Sequence, residues 1–396
     1  MFIDLHIIQT VPLANLNRDD AGSPKTMPYG GVKRLRVSSQ SWKRAARESM
    51  EAAGLAGRTY RTRHPDARLA DLLTERGFDA AAAVPVARWA FSMLGTGTSK
   101  ADKNVLLFAS EAELGALADL LNARCGEFTS AFNAFAAQTA EGEAQEEQQA
   151  TQAPAKGAKA RKAAPPAGPD FATAGISKKE ITSAFSMATH ADAIGLFGRM
   201  LADNDKVNAD AAVAVAHAFS VHAAAVEFDY FTAVEDIPDD SEGSGAAMIE
   251  TTEFSSGTLY RYATIDVEEL VANCGGNAQV AAALAEAFIS AMALSMPSGK
   301  KNATAPHTVP AIVAVAARSD RPVSLAPAFE EAIRSTNGYE SKAVEQMCRY
   351  SARASKMVAP AVAAGYVTTS ERDCAVLGAE YHTIAALAAA ATAASF

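Results

Sequence analysis

The sequence has few of the features that mark secreted, disulfide-linked or membrane proteins. Only four of its 396 residues are cysteines, at positions 125, 274, 348 and 374, and no CxxC pair occurs. Isolated thiols are typical of a reducing cytosol. No run of about 18 apolar residues is present, which excludes an ordinary membrane-spanning helix. The first segment, "MFIDLHIIQTVP", lacks a basic region and holds Asp4 within its apolar run. We therefore expect no signal peptide, no membrane partner and a cytoplasmic location.

Motifs for metal binding and nucleotide chemistry are also missing. The seven histidines form no HExxH or similar zinc spacing, and no GxGxxG, Walker or GxSxG motif occurs. His217 and His222 are five residues apart, so they do not share a helical face well and are expected to serve core or surface roles. The sequence predicts no metal ion and no cofactor.

What the sequence does contain is segregated charge. The formal net charge is −9, but residues 1–50 carry eight Lys or Arg against four Asp or Glu. This segment therefore sums to +4, and the remaining 346 residues sum to −13. The stretch "RLRVSSQSWKRAARE", from Arg34 to Glu48, has five basic residues before its first acid. A pI near 5.4 argues against a protein coated in basic charge, but not against one basic groove.

The basic stretch has the pattern of a short strand that runs into a helix. Ser38 or Ser39 can cap a helix from about Gln40 to Leu55. At about 100° per residue, one face of it collects Gln40, Lys43, Arg44 and Arg47, and the opposite face collects Trp42, Ala45 and Ala46. With Lys25, Lys33, Arg34 and Arg36, the basic face could line a groove along a sugar–phosphate backbone. An amphipathic helix with a merely solvated basic side gives the same pattern.

The rest of the chain indicates an α+β sheet with insertions. We expect a buried strand over 2–11, a loop over 12–31, mainly helices over 61–137 and a mobile, compositionally biased insertion over 138–170. Residues 212–228 are predicted to turn from helix into strand. The runs "VEFDYFTAV" and "TEFSSGTLYRYATIDV" predict a long hairpin, followed by a helix over about 277–295 and a strand over 308–317. From Val207 to Tyr260 there are ten acids and no Lys or Arg.

Four blocks of the sequence resemble one known family. The stretch "LNRDDAGSPKTMPYGGVKRLRVSSQSWKRAARE" (16–48) is similar to the N-terminus of the CasC-type (Cse-family) backbone subunit of the type I-E CRISPR Cascade complex, in the RAMP superfamily. The likeness continues, in order, through "AIGLFGRML", "AHAFSVHAAAVEFDYFTAVEDI" and "EFSSGTLYRYATI". Residues 61–175 and 320–396 match only weakly.

The resemblance implies a modified RRM (ferredoxin-like) palm with a helical fingers insertion and a β-hairpin thumb. The palm would take residues 1–60, 176–225 and 263–396, the fingers 61–175 with a disordered loop over 138–170, and the thumb 226–262. Copies would stack head to tail as a helical filament along one CRISPR RNA, with other Cascade subunits, and present the guide for pairing with a target DNA strand. Such a subunit is not an enzyme, because a recruited helicase-nuclease cuts the DNA.

The resemblance and the helical pattern also predict the contacting residues. RNA contacts are expected from Arg18, Lys25, Ser38, Gln40, Lys43, Arg44, Arg47, Met200, Phe231 and Met248. The run Lys156, Lys159, Arg161 and Lys162 is expected to touch DNA, although a solvated linker has the same composition. A methionine after an apolar run, such as Met200, more often fills a core, and Phe231 could pack across its hairpin.

Two alternatives stay open at this stage. Related type III backbone subunits cut RNA with an acid in a comparable loop, so Asp19 and Asp20 could serve a metal-dependent ribonuclease. Two aspartates beside an arginine are, however, also a common turn motif. A purely structural α+β scaffold without nucleic acid is the second alternative, and salt-dependent RNA binding would discriminate against it.

Overall fold

The computed structural model describes residues 1–95, 106–152, 168–186, 189–202, 204–233 and 248–396. In these residues the strands are β1 (Phe2–Ala14), β2 (Thr26–Tyr29), β3 (Val32–Val37), β4 (Thr59–Thr62), β5 (Leu107–Ser110), β6 (Val213–Val215), β7 (Ala218–Ser220), β8 (Glu227–Ala233), β9 (Met248–Asp266), β10 (Ile312–Arg318), β11 (Ala363–Thr368) and β12 (Ala379–Glu380).

The helices in the same residues are α1 (Ser39–Ala52), α2 (Pro65–Glu75), α3 (Ala80–Leu94), α4 (Glu111–Asn122), α5 (Cys125–Gln152), α6 (Lys178–Ser186), α7 (Ala193–Phe197), α8 (Val267–Asn273), α9 (Ala278–Leu294), α10 (Lys301–Thr304), α11 (Glu340–Ala354) and α12 (Ile384–Ala393). Short 3₁₀ turns occupy Phe171–Ala174, Asp205–Val207, Ala326–Phe329 and Ala375–Leu377. None of the described helices can cross a membrane by itself, and α8 with α9 reaches the required length and apolarity only as a pair bent by 117°.

The chain divides into two compact units. The sheet unit comprises Met1–Ala56, Ala191–Phe197 and Asp210–Phe396, and the helical unit comprises Gly57–His190 and Gly198–Ala209. The helical unit buries its own core of residues from α2 to α6, together with the two-stranded sheet of β4 and β5. Its buried Arg199 lies 2.7 Å from the carboxylate of Glu113 and also donates to the carbonyl oxygen of Val207.

The sheet unit is built on one mostly antiparallel sheet. Its strand order is β12-β11-β10-β1-β9-β7-β3-β2, and β6 and β8 also pair with β9. The first strand, β1, is buried on both faces: Ile3, Leu5 and Ile7 face one apolar core, and Ile8 faces the other. The α+β class, the buried first strand, the hairpin of β8 and β9 and the helix near 277–295 are all confirmed.

Two local predictions are wrong. The helix expected in the first part of 212–228 does not form: strands β6 and β7 lie there instead, because pairing with β9 overrides the helix propensity of an alanine-rich run. The strand expected at the end of this segment begins with β8 at Glu227. Residues 12–31 are not all loop, since β2 pairs with β3. The connection is the two-residue turn Gly30-Gly31, with φ values of 58° and 79° that favour glycine at both positions.

Helix α1 begins as predicted and buries the predicted apolar side chains. Ser38 is its N-cap, with φ −64° and ψ 148°, and its hydroxyl oxygen accepts from the backbone N–H of Ser41 at 3.4 Å. Trp42, Ala45, Ala46 and Met50 are its buried residues. The helix ends at Ala52 rather than near residue 55, because Gly54 leaves the helical region with φ 67°.

A buried guanidinium, that of Arg261 on β9, lies beneath Trp42. Its central carbon is 3.6 Å from the centroid of the Trp42 ring. Its N–H groups donate to Gln9 Oε1 at 2.6 Å and to the carbonyl oxygens of Met292 and Ala293 at the C-terminal end of α9. Burial lowers the pKa of Arg261 to about 9, so it stays charged at neutral pH. Arg261 therefore connects β1, α1 and α9 at the centre of the unit.

A second buried guanidinium corrects the groove that the sequence suggests. Arg34 on β3 is 0% exposed and donates to the carbonyl oxygens of Tyr29, Ser220, Phe329 and Glu330 at 2.9–3.2 Å. It fastens the hairpin of β2 and β3 to the segment after Ala326–Phe329. The neighbouring backbones are close enough that a Cβ at Gly30 would lie 1.6 Å from the oxygen of Glu330. Arg34 is thus a structural residue and cannot line a surface groove.

We predict that Arg34→Met lowers the free energy of unfolding by about 2–4 kcal/mol, because several carbonyl oxygens lose their donor inside the protein. The adjacent Lys33 is exposed, so Lys33→Met is a matched control that should change this free energy by no more than about 0.5 kcal/mol. Urea unfolding of both variants measures the difference. Equal midpoints for the two variants would contradict the structural role.

Candidate nucleic-acid interface

The exposed side of α1 carries the predicted residues in unequal environments. Gln40 is exposed, and Lys43 is half-buried with its Nζ 5.3 Å from the centroid of the Phe197 ring. Ser38 is buried and its hydroxyl is committed to the helix cap. Gln40 and Lys43 therefore both present polar atoms to solvent in the first half of the helix.

The second half of α1 balances its own charge. Arg44 Nε lies 2.7 Å from Glu48 Oε1, with 71% of the arginine side chain exposed. Arg47 is only 15% exposed and approaches Glu51 at 3.4 Å and Glu48 at 3.7 Å. The expectation that Arg47 lies on the solvent face is wrong, since the carboxylate of Glu51, four residues on, draws it against the helix. Positive potential is thus concentrated toward the start of α1.

The first turn of α1 meets three further groups. The ring nitrogen Nδ1 of His217, between β6 and β7, accepts from the backbone N–H of Ser39 at 3.2 Å and lies 3.5 Å from an Arg36 guanidinium nitrogen. The pKa of His217 is lowered by burial and by the charges of Arg36 and Lys25. Lys25 comes from the segment before β2, where its N–H donates to the oxygen of Asn17. The structure thus brings Lys25 and Arg36 to the start of α1.

The loop before β2 carries Arg18, Asp19 and Asp20, all of them exposed. The carboxylate of Asp19 accepts from the N–H groups of Ala21 and Ser23, each at 3.0 Å, so it holds a turn. Arg18 pairs through its backbone with Pro24. Within the described ranges of the chain, no three His, Cys, Asp or Glu side chains are grouped so that they could hold a metal ion.

The sequence analysis missed a second basic loop, the segment Ser298–Lys301. Two open clefts share Leu16 and Gly299: one is lined by the Arg18 loop, and the other by Ser41, Arg44 and Glu48 on α1. A Cβ at Gly299 would lie 2.5 Å from the oxygen of Asn15, so glycine permits this close approach. Lys300 follows at φ 54° and donates to Thr252 Oγ1 at 2.7 Å, and Lys301 is exposed. The sequence signal that could have indicated this basic loop is the pair of lysines directly after Gly299.

The β8–β9 ribbon exposes aromatic side chains on both faces. Phe231 pairs with Glu250 across the ribbon and is 38% exposed, so packing across the strands does not bury it. Phe228 and Tyr230, which the sequence analysis did not select, lie on the opposite face and are 73% and 61% exposed. Met248 begins β9 opposite Ala233.

The remaining predicted residues lie elsewhere. Met200 belongs to the helical unit and is 84% exposed, so the core-filling alternative is wrong. Helix α5 runs to Gln152, inside the segment 138–170. Lys156, Lys159, Arg161 and Lys162 fall outside the described residues.

Comparison with known proteins finds matches along the full chain. Two solved chains, named "CRISPR RNA-guided surveillance complex, pre-nicking" and "CRISPR RNA-guided surveillance complex", are similar to it at 35% and 31% identity, with TM-scores of 0.77 and 0.61. Each match covers 100% of both chains. A search of curated proteins found no match. The family model described as CT1975-like protein matches residues 3–390, and the chain therefore belongs to the CT1975-like protein family.

Proposed function

We propose that this chain is the CRISPR RNA-binding backbone subunit of a type I-E Cascade surveillance complex. The observation that carries the proposal is the convergence of basic side chains from separate segments around the start of α1. Lys25 and Arg36 lie at its first turn, Lys43 on its exposed side, and Arg18 and Lys301 on the loops beside it. The similarity to chains of two RNA-guided surveillance complexes supports the same function.

The chemistry of this surface suits a guide whose sequence varies. Lysine and arginine bind phosphate oxygens, which are the same at every nucleotide and carry no sequence information. Gln40 can hydrogen-bond a phosphate or a ribose hydroxyl. In this function the protein holds the backbone of the RNA, and base pairing with target DNA supplies the recognition of sequence.

The apolar residues take a second role in the proposal. Met200, Phe231 and Met248 would contact bases, and an exposed aromatic side chain on a ribbon can stack on or wedge beside an unstacked base. The palm, fingers and thumb would be the sheet, the helical insertion and the ribbon. The ribbon also carries Glu227 and Asp229, which repel phosphate. Either its apolar side chains alone meet the guide, or its acids dock on a neighbouring copy.

We predict that the triple variant Arg18→Gln, Lys25→Gln, Lys43→Gln binds a fluorescent single-stranded RNA of mixed sequence more weakly and with less salt dependence. The plot of log K against log salt has a negative slope, and loss of three phosphate contacts should make that slope shallower by about 2. Fluorescence anisotropy between about 50 mM and 200 mM salt measures both quantities. The triple variant leaves out Arg47 because of its ion pairs with Glu48 and Glu51.

The matched control removes the same charge from α11, a helix of the same unit that packs on a different apolar core from α1. Lys342, Arg353 and Lys356 are exposed on or just after α11, and their triple substitution to Gln should leave affinity and slope unchanged. Equal losses in the two triple variants would indicate general electrostatic attraction. An unchanged affinity in the first variant would remove the proposed guide surface.

The backbone role also predicts assembly. A tagged copy purified from the native host should bring untagged copies of itself, other subunits and a discrete RNA of CRISPR-repeat origin. Gel filtration and sequencing of the bound RNA measure this. A monomer carrying RNA of random origin would keep the RNA-binding function but refute the backbone role.

The second candidate function is ribonuclease activity through Asp19 and Asp20, and we propose that the chain lacks it. The carboxylate of Asp19 is occupied by two backbone N–H groups, which leaves Asp20 as the cleaner test. We expect the complex to leave guide-paired RNA intact in Mg²⁺ or Mn²⁺. Cleavage by the wild type that Asp20→Asn abolishes would establish the nuclease instead.

A further inference from the structure

His217 is a titratable side chain at the start of α1 that no prediction assigned to the RNA. It lies between β6 and β7, and its side chain is exposed. The charged groups that act on it are Arg36 on β3 and Lys25 before β2, and α1 presents the backbone of Ser39 to it. The segment before β2, strand β3 and the start of α1 therefore meet at a ring that lies 178 residues beyond Ser39.

The hydrogen bonds fix where the proton of the ring resides. The backbone N–H of Ser39 is a donor only, so Nδ1 of His217, which accepts from it at 3.2 Å, must be unprotonated. The neutral imidazole then carries its proton on Nε2. Partial burial of the ring, followed by the positive charges of Arg36 and Lys25, lowers the pKa of His217, which keeps this neutral form at physiological pH.

The Nε2–H group points away from the helix. In the part of the chain that the structure describes, no atom accepts a hydrogen bond from it, and the side chain is open to solvent. An exposed N–H donor beside two cations matches an oxyanion, and a nonbridging phosphate oxygen is the oxyanion that repeats along RNA.

We propose that His217 is a further RNA-contacting residue, whose Nδ1 holds the first turn of α1 while its Nε2–H donates to a phosphate oxygen of the bound strand. This inference rests on the proposed function, since it places the ligand of that surface at one more atom. It explains why the ring is held neutral: a protonated ring would lose the bond from Ser39. A single tautomer gives His217 one inward acceptor and one outward donor.

Two amide substitutions separate the two roles of the ring. His217→Asn places an amide oxygen near the position of Nδ1 and can still accept from Ser39, but it removes the outward donor. His217→Gln places an amide N–H near the position of Nε2 and keeps a donor directed to solvent. His217→Ala removes both groups. The readout is the affinity of the full chain for the same fluorescent single-stranded RNA, with urea unfolding measured in parallel.

We expect His217→Asn to bind RNA about tenfold more weakly than wild type with an unchanged unfolding midpoint, as for the loss of one hydrogen bond to a charged group. His217→Gln should recover most of that loss. The exposed His382 lies far along the chain, and His382→Asn should bind RNA like wild type.

The opposite order would overturn the inference. If His217→Asn binds like wild type while His217→Gln and His217→Ala bind weakly, the ring only positions α1. If all three variants bind like wild type while the Arg18, Lys25 and Lys43 triple variant binds weakly, the RNA surface stands and His217 is outside it. If the triple variant also binds like wild type, the proposed function itself fails.

Discussion

The arrangement of the basic surface depends on a buried cation, Arg261, that is not itself part of that surface. Arg261 is buried at the middle of the sheet, where desolvation makes an unsatisfied guanidinium very costly. The groups that offset this cost are the Trp42 ring, the side-chain oxygen of Gln9 and the carbonyl oxygens at the end of α9, whose helix dipole favours a positive charge. These contacts hold Trp42 in the core, and the side of α1 that carries Gln40 and Lys43 therefore faces outward.

The charge on that outward side is graded along the helix. The carboxylates of Glu48 and Glu51 neutralise Arg44 and Arg47 within one turn, whereas cations from other segments gather at the beginning of α1. Two ends of one short helix therefore differ in potential. An anionic strand would be drawn to the first turn, where the helix N-terminus adds its own partial positive charge.

Local chemistry made part of this predictable. The capping serine, the amphipathic pattern of α1 and the alternation of β8 and β9 are encoded within about ten residues, so the sequence predicts them correctly. The burial of Arg34 could not be predicted from nearby residues. The carbonyl oxygens that accept from it, those of Ser220 and Phe329, are almost 200 and 300 residues away. The same limit applies to the hydrogen bond between His217 and Ser39 and to the close contact between Gly299 and Asn15, because both form only when distant segments pack together.

Strand β9 is shared by two structures: its first residues pair with β8 in the exposed ribbon, and the later ones pair with β1 in the middle of the sheet. The register between β1 and β9 shifts between Val11 and Ala14, beside the root of the ribbon. The ribbon is thus a continuation of a strand that pairs with β1 at the middle of the sheet. A displacement of the described part of the ribbon is therefore coupled through the backbone of β9 to the layer of the sheet that contains Arg261.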